Sequence, residues 1–189
     1  SMRLLSGILA GQSFDSELTG DTSLSRRPMR RVSDPLSRLG AVIQTSEDGT
    51  PPVQISGSRP LTGCHTEMQV ASAQVKSALL LAGLYADGET SVTEPAPTRD
   101  HTERMLQGFG YPVRRDGATA SVVGGGRLTA CHIDVPSDIS SAAFFLELPK
   151  VPRWREVVRT AYFVLSLPTI EAETRFELEQ ELDKTKTIL

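Results

Sequence analysis

Two parts of this chain repeat the same landmarks at the same spacing, and this repeat limits the fold more than any other feature. The tripeptide Leu-Ala-Gly ends at Gly11 and again at Gly83, and an arginine follows each glycine at the same distance, as Arg27 and as Arg99. Self-similarity at a fixed spacing indicates a duplicated supersecondary unit. We predict two copies of one unit: a helix, a strand, an arginine-bearing loop, a second helix and two short strands.

The helices of the first copy are predicted from apolar spacing and from proline and glycine. Residues 2–10 are mostly apolar and stop at glycine, which is typical of a short buried helix. Apolar side chains within residues 29–39 line one helical face and are followed by Gly40. Pro28 suits the first position of that helix, and Pro35 predicts a kink or a helix that restarts there.

The second copy contains the most informative helix, predicted over residues 71–83. From residue 78 to residue 82 it has only apolar side chains, so we expect it to be covered on all sides. Its first turn is polar and includes Ser72, Gln74 and Lys76, beside the free backbone N–H groups where an anion can bind. The next helix is predicted to start at a capping box formed by Asp100 and Glu103 and to end before Gly110.

The strands are predicted from period-two alternation and from the turn residues between them. They cover residues 13–19, 41–44 and 53–56 in the first copy and residues 119–123 and 132–135 in the second. A third copy begins at residues 138–146 but does not continue into a strand. We therefore predict an α/β domain over residues 1–148 and a helical tail of unknown role over residues 149–189.

Composition excludes several classes of function. The net charge is -3 and no basic block is present, so we expect no nucleic-acid partner. No apolar run approaches the roughly 18 residues that would cross a bilayer, so no membrane association is expected. Cys64 and Cys131 form no CxxC pair, and the histidines have no metal-ligand spacing. We predict a soluble cytoplasmic protein without a cofactor or a metal.

Five motifs follow one another along the chain. They are MRLLSG at residues 2–7, SLSRRPM at 23–29, SAQVKSA at 72–78, TRDHTE at 98–103 and DISSAAFF at 138–145. Together they resemble the 5-enolpyruvylshikimate-3-phosphate (EPSP) synthase family, also called 3-phosphoshikimate 1-carboxyvinyltransferase, over roughly residues 2–146. The resemblance implies βαβαββ units of an inside-out α/β barrel, in an enzyme with two lobes of three units each.

The resemblance also implies a reaction of the shikimate pathway, in which the 5-hydroxyl of shikimate 3-phosphate attacks C2 of phosphoenolpyruvate. Both substrates are anionic, so cations and helix N-termini must neutralise them. By resemblance, Ser72, Ala73 and Gln74 hold the phosphate and the ring of shikimate 3-phosphate. Arg99 contacts the same phosphate ester from its loop.

The second substrate, phosphoenolpyruvate, is assigned to residues of both copies of the repeat. By resemblance, Arg27 binds phosphoenolpyruvate, Gln74 also faces this substrate, and Arg3 is a further candidate at the start of a helix lining the cleft. Arginine suits the task because its planar fork binds a carboxylate or a phosphate through two parallel hydrogen bonds.

The chain also departs from the family pattern. Nothing in it corresponds to the lysine- and serine-bearing segment that opens family members, or to the acidic groups of the other lobe that handle protons. We therefore expect no catalytic acid or base, and one lobe that is inactive alone but binds phosphate esters. We expect the tail, a homodimer or a complementing lobe to cover its apolar surface.

Two alternatives remain open. In the first alternative, the chain is a relative of UDP-N-acetylglucosamine enolpyruvyl transferase, although the SAQVK and TRDHTE motifs argue against this. In the second, it is a non-catalytic scaffold whose acidic tail recruits a partner. Substitution of Arg27 and Arg99 by alanine tests the scaffold alternative. Loss of phosphate-ester binding supports a ligand site, and no effect supports a scaffold.

Overall fold

The computed structural model describes residues 2–57 and 60–133. Residues 1–131 belong to one compact unit, and the second unit, 132–189, lies almost wholly outside the described residues. The predicted start of a third copy at residues 138–146 and the predicted tail over residues 149–189 also lie outside them. No helix in the described ranges is long and apolar enough to cross a membrane.

Both copies of the unit are present in the described part of the chain. The first contains α1 Met2–Ala10, β1 Ser16–Leu18, a 3-10 helix Leu24–Arg26, α2 Arg30–Arg38, β2 Val42–Gln44 and β3 Val53–Ser56. The second contains β4 His65–Glu67, α3 Ala73–Gly83, β5 Glu89–Thr93, α4 His101–Gly108, β6 Val113–Asp116 and β7 Thr119–Val123. The second copy is a complete βαβαββ unit, and the first repeats the same order from its first helix onward.

The two sheets repeat the same strand order. One sheet has the order β1-β3-β2 and the other has the order β4-β5-β7-β6. The order β1-β3-β2 in the first copy corresponds to the order β5-β7-β6 in the second. Neighbouring strands within each of these two sets are antiparallel. The additional strand β4 pairs with β5 in parallel. The matching order confirms the predicted duplication.

The core is organised around α3, which is buried along most of its length. Ala78, Leu79, Leu80 and Ala82 have no exposed surface, and Leu81 is 9% exposed. This confirms that the apolar segment of the helix is covered on all sides, as its composition predicts.

The helix α1 packs against α3 at very close range. A Cβ atom added to Gly7 would lie 2.1 Å from the carbonyl oxygen of Ala78. Only glycine allows the two backbones to approach in this way. The first turns of α1 and α3 both contribute to the site described below.

Glycine also ends the second helix of each copy. Gly40 (φ +97°) follows α2 and Gly110 (φ +72°) follows α4, each one residue after the helix cap. A left-handed residue at this position is a common way for a helix to end, and glycine adopts it without strain. These two helix ends agree with the sequence prediction.

Three details of the predicted helices differ from the structure: the start of α2, the predicted restart at Pro35 and the capping hydrogen bond of Asp100. The helix α2 starts at Arg30 rather than at Pro28, and it continues through Pro35 without a break. Val32 and Leu36 have no exposed surface. The free energy gained by burying these two side chains offsets the loss of the backbone hydrogen bond that proline removes. Asp100 occupies the cap position of α4, but its side chain makes no capping hydrogen bond.

The prediction of the closing strands of the second copy is half right. Residues 119–123 form β7 as predicted, but the partner strand is β6, over residues 113–116. Residues 132–133 belong to no strand, and 134–135 lie outside the described residues. The sequence of β6 gives no signal because three of its four side chains are exposed and its pattern is polar.

Candidate anion-binding site

The start of α3 presents free backbone donors beside a serine. Ser72 is the N-cap residue in an extended conformation, and its Oγ accepts a hydrogen bond of 3.4 Å from the backbone N–H of Val75. The N–H groups of Ala73 and Gln74 come before the first intrahelical bonds and have no partner within the helix. An anion at this helix end would meet N–H groups and the positive end of the helix dipole.

Arg3 connects α1 to this helix end and to the first arginine-bearing loop. Its Nη1 donates to Oε1 of Gln74 at 3.0 Å, and its Nη2 donates to the carbonyl oxygen of Pro28 at 3.1 Å. A small depression surrounds these contacts, and its lining includes Arg3, Arg27 and Gln74. The structure thus brings together the three residues predicted for phosphoenolpyruvate.

Positive charge is concentrated around the depression. Burial lowers the pKa of the Arg3 guanidinium below its ordinary value, and the positive charges of Arg31 and Arg27 lower it further. Among the described residues, none of these three arginines forms an ion pair with a carboxylate. The repulsion is therefore uncompensated within this part of the protein, and an anion bound here would relieve it.

Arg99 lies on the equivalent loop of the second copy, directly before the start of α4. It is exposed, and no hydrogen bond or ion pair of its side chain occurs within residues 2–57 and 60–133. It does not line the depression with Arg27. The predicted set is therefore divided between the depression and the neighbouring starts of α3 and α4.

The starts of α3 and α4 are tied together by buried polar contacts. Oγ1 of Thr102 donates to Oγ of Ser77 at 2.8 Å, and Nζ of Lys76 lies 2.7 Å from Oε1 of Glu103. These contacts place the helix end that carries Ser72 beside the helix that follows Arg99.

Sequence reasoning placed the Lys76 ammonium beside the anion site, and this is wrong. The side chain is 0% exposed, and its Nζ lies between Oε2 of Glu94, at 2.9 Å, and Oε1 of Glu103, at 2.7 Å. A lysine surrounded by buried positions of an apolar helix is a signal for such a pair, because buried lysines are almost always paired. Within the described ranges, no group of three His, Cys, Asp or Glu side chains is arranged to hold a metal ion.

The sequence matches one family model over residues 1–157, that of EPSP synthase (3-phosphoshikimate 1-carboxyvinyltransferase). This chain belongs to the EPSP synthase family. The solved structure of EPSP synthase from Acinetobacter baumannii superimposes with a TM-score of 0.72 at 63% sequence identity, over 77% of this chain and 33% of that one. The structural match confirms the predicted fold class.

Curated EPSP synthase relatives are similar over the same portion. A 3-phosphoshikimate 1-carboxyvinyltransferase from Alkalilimnicola ehrlichii is 70% identical over 146 residues, and one from Methylococcus capsulatus is 68% identical over 146 residues. Each alignment covers 77% of this chain and 33% of the relative. The chain therefore spans about a third of the length of the relatives it matches.

Proposed function

We propose that this chain provides part of the substrate-binding surface of a 3-phosphoshikimate 1-carboxyvinyltransferase. The observation that carries the proposal is the convergence of Arg3, Arg27 and Gln74, from three different elements, on one positively charged depression. In this function the depression receives phosphoenolpyruvate, and the helix end beside it receives shikimate 3-phosphate.

Arg27 is the main ligand of phosphoenolpyruvate in this proposal. The guanidinium is exposed at the depression, so both of its forked N–H groups are available to a carboxylate or a phosphate. Arg3 has a supporting role, because two of its donors are already directed at Gln74 and at Pro28. It fixes the orientation of the Gln74 amide, which then faces both substrates.

Ser72, Ala73, Gln74 and Arg99 bind shikimate 3-phosphate in this proposal. The Ala73 and Gln74 N–H groups and the Ser72 hydroxyl supply hydrogen bonds to the phosphate from the start of α3. Arg99 supplies the balancing charge from the loop before α4. A charge-assisted bond of this kind contributes roughly twice as much as a neutral one.

The chain alone is expected to show no carboxyvinyl transfer. The described lining of the depression contains arginine, glutamine, methionine and leucine side chains but no carboxylate or imidazole that could move a proton. Transfer also requires charge stabilisation from both walls of a water-excluding cleft. Release of phosphate from phosphoenolpyruvate in the presence of shikimate 3-phosphate measures this directly, and turnover by the purified chain at the rate of a full-length relative would contradict the prediction.

Binding is tested by calorimetric titration of each substrate into the purified chain. Arg99→Ala is expected to weaken binding of shikimate 3-phosphate by roughly 10-fold or more, because a hydrogen bond to a charged group contributes about 1.5–3 kcal/mol. Arg27→Ala is expected to weaken binding of phosphoenolpyruvate instead. Arg104→Ala is the matched control, since Arg104 is an exposed arginine on α4. Equal affinities in all three variants would contradict the assignment.

The same titrations separate the alternatives. A non-catalytic scaffold predicts that neither substrate binds and that both alanine variants behave like the parent chain. If the chain is instead a relative of UDP-N-acetylglucosamine enolpyruvyl transferase, we expect UDP-N-acetylglucosamine to bind and shikimate 3-phosphate not to bind.

A second lobe completes the cleft in this proposal, from a homodimer or from a complementing chain. Light scattering measures the mass of the purified chain in solution and so shows whether it forms a homodimer. We place the protein in the cytoplasm, and the free thiols of Cys64 and Cys131 agree with a reducing compartment.

A further inference from the structure

One lysine and two glutamates form a buried charged cluster where α3, β5 and α4 meet. Nζ of Lys76 is within 2.9 Å of Glu94 and within 2.7 Å of Glu103, and the three side chains are 0%, 3% and 5% exposed. Lys76 belongs to α3, Glu94 directly follows β5, and Glu103 lies in the first turn of α4. The site described above makes no direct use of these three groups.

Glu94 extends this cluster to the loop that carries Arg99. One carboxylate oxygen of Glu94 accepts from Lys76, and the other accepts from the hydroxyl of Thr98. The backbone N–H of Glu94 donates to the carbonyl oxygen of Ala118 at 3.0 Å, so the residue is held from its main chain as well. Thr98 immediately precedes Arg99, and the hydrogen bond therefore reaches the neighbour of the arginine.

The segment between Glu94 and Arg99 has few other fixed points. Two of its residues, Pro95 and Pro97, have no backbone N–H to donate. Among the described residues, the backbone N–H groups of residues 95–99 make no hydrogen bond to another backbone group. The Thr98 side chain is thus the principal polar contact of this segment.

We infer that Lys76, Glu94 and Thr98 are positioning residues that hold the Arg99 loop in its binding geometry. The inference rests on the proposed function of Arg99. An exposed arginine on an untethered loop loses conformational entropy when it binds, and a loop that is already ordered avoids most of that loss. The buried ammonium orients the Glu94 carboxylate, and this carboxylate fixes Thr98 through a charge-assisted bond. None of these three side chains touches the ligand in this arrangement.

Thr98→Val tests the inference because valine keeps the shape of threonine and removes the hydroxyl. The backbone ¹⁵N order parameters of residues 98–100 are expected to fall from about 0.85, typical of a rigid backbone, to below about 0.6, because the hydrogen bond that holds the segment is lost. The affinity for shikimate 3-phosphate is expected to fall roughly 10-fold, since a hydrogen bond to a charged group is lost. Thr98→Ser, which keeps the hydroxyl, is expected to restore both values.

Thr93→Val is the matched control. Thr93 lies on β5, and its hydroxyl shares a hydrogen bond of 2.7 Å with the hydroxyl of Thr119, away from the cluster. This variant also loses a side-chain hydroxyl that makes a hydrogen bond, and its order parameters at residues 98–100 are expected to stay at the parent values. Lower order parameters at those residues in both variants would point to a loss of general stability and would overturn the inference.

The remaining outcomes distinguish the inference from the proposed function. Unchanged order parameters at residues 98–100 in Thr98→Val would overturn the positioning role, whatever the ligand. Lower order parameters with unchanged affinity for shikimate 3-phosphate would also overturn it, because loop order would then not serve binding. Absence of binding by the parent chain would instead overturn the proposed function, while the order parameters still decide whether Thr98 orders the loop.

Discussion

Lys76→Met is expected to lower the free energy of unfolding by about 3–5 kcal/mol, the usual cost of removing one partner of a buried ion pair. Methionine fills nearly the same volume, so the loss is electrostatic rather than a cavity effect. Glu94 and Glu103 would remain buried as two carboxylates without a cation. Chemical denaturation monitored by circular dichroism measures the change, and a variant as stable as the parent chain would show that the cluster contributes nothing.

Glu103→Gln is the matched control for this cluster. The parent cluster holds two carboxylates for one ammonium, and neither oxygen of Glu103 has a hydrogen bond of good geometry among the described residues, although one lies 2.7 Å from Lys76. Loss of this one charge leaves a balanced pair of Lys76 and Glu94. The expected cost is therefore less than about 1 kcal/mol, well below that of Lys76→Met. Equal costs for the two variants would contradict the role given to the lysine.

Gly7→Ala is expected to lower the free energy of unfolding by about 2–3 kcal/mol through overpacking. Alanine is normally the better residue inside a helix, by roughly 1 kcal/mol. Here its Cβ would lie 2.1 Å from the carbonyl oxygen of Ala78, a backbone atom that cannot move aside as a side chain can. Thermal and chemical unfolding of the purified variant measure the loss.

Gly108→Ala makes the same chemical change as Gly7→Ala but is expected to have the opposite effect on the free energy of unfolding. Gly108 is the last residue of α4, its φ is not positive, and apart from its chain neighbours and the backbone of its own helix no atom lies within 4 Å of a Cβ added there. Alanine at this position is expected to raise the free energy of unfolding by about 0.4–1 kcal/mol. Two stabilised variants would show that α1 and α3 can separate without cost.

Much of the fold could be predicted because the repeat and the glycine signals are local. Matching Leu-Ala-Gly and arginine landmarks predicted the order of the elements, and Gly40 and Gly110 predicted two helix ends. The missed strands, β4 and β6, are short, and their side chains are mostly exposed. Tertiary pairing rather than local alternation defines them.

Contacts between distant residues were harder to predict than the elements themselves. Glu103 matched a capping box, but the buried ammonium of Lys76 holds its side chain away from that role. No spacing rule places Arg3 against Gln74, because the two lie on separate helices. Their assignment to one site came from resemblance to a family. Their position in one depression is a structural finding.

The contact of Arg3 with Gln74 and Pro28 has a consequence for how the depression forms. Arg3 and Arg27 belong to the first copy of the unit, and Gln74 belongs to the second. Neither copy carries the full lining, so the depression exists only after both have folded and docked. The ligand binding proposed for the depression therefore requires both copies to be folded, and local unfolding of either copy is expected to abolish it.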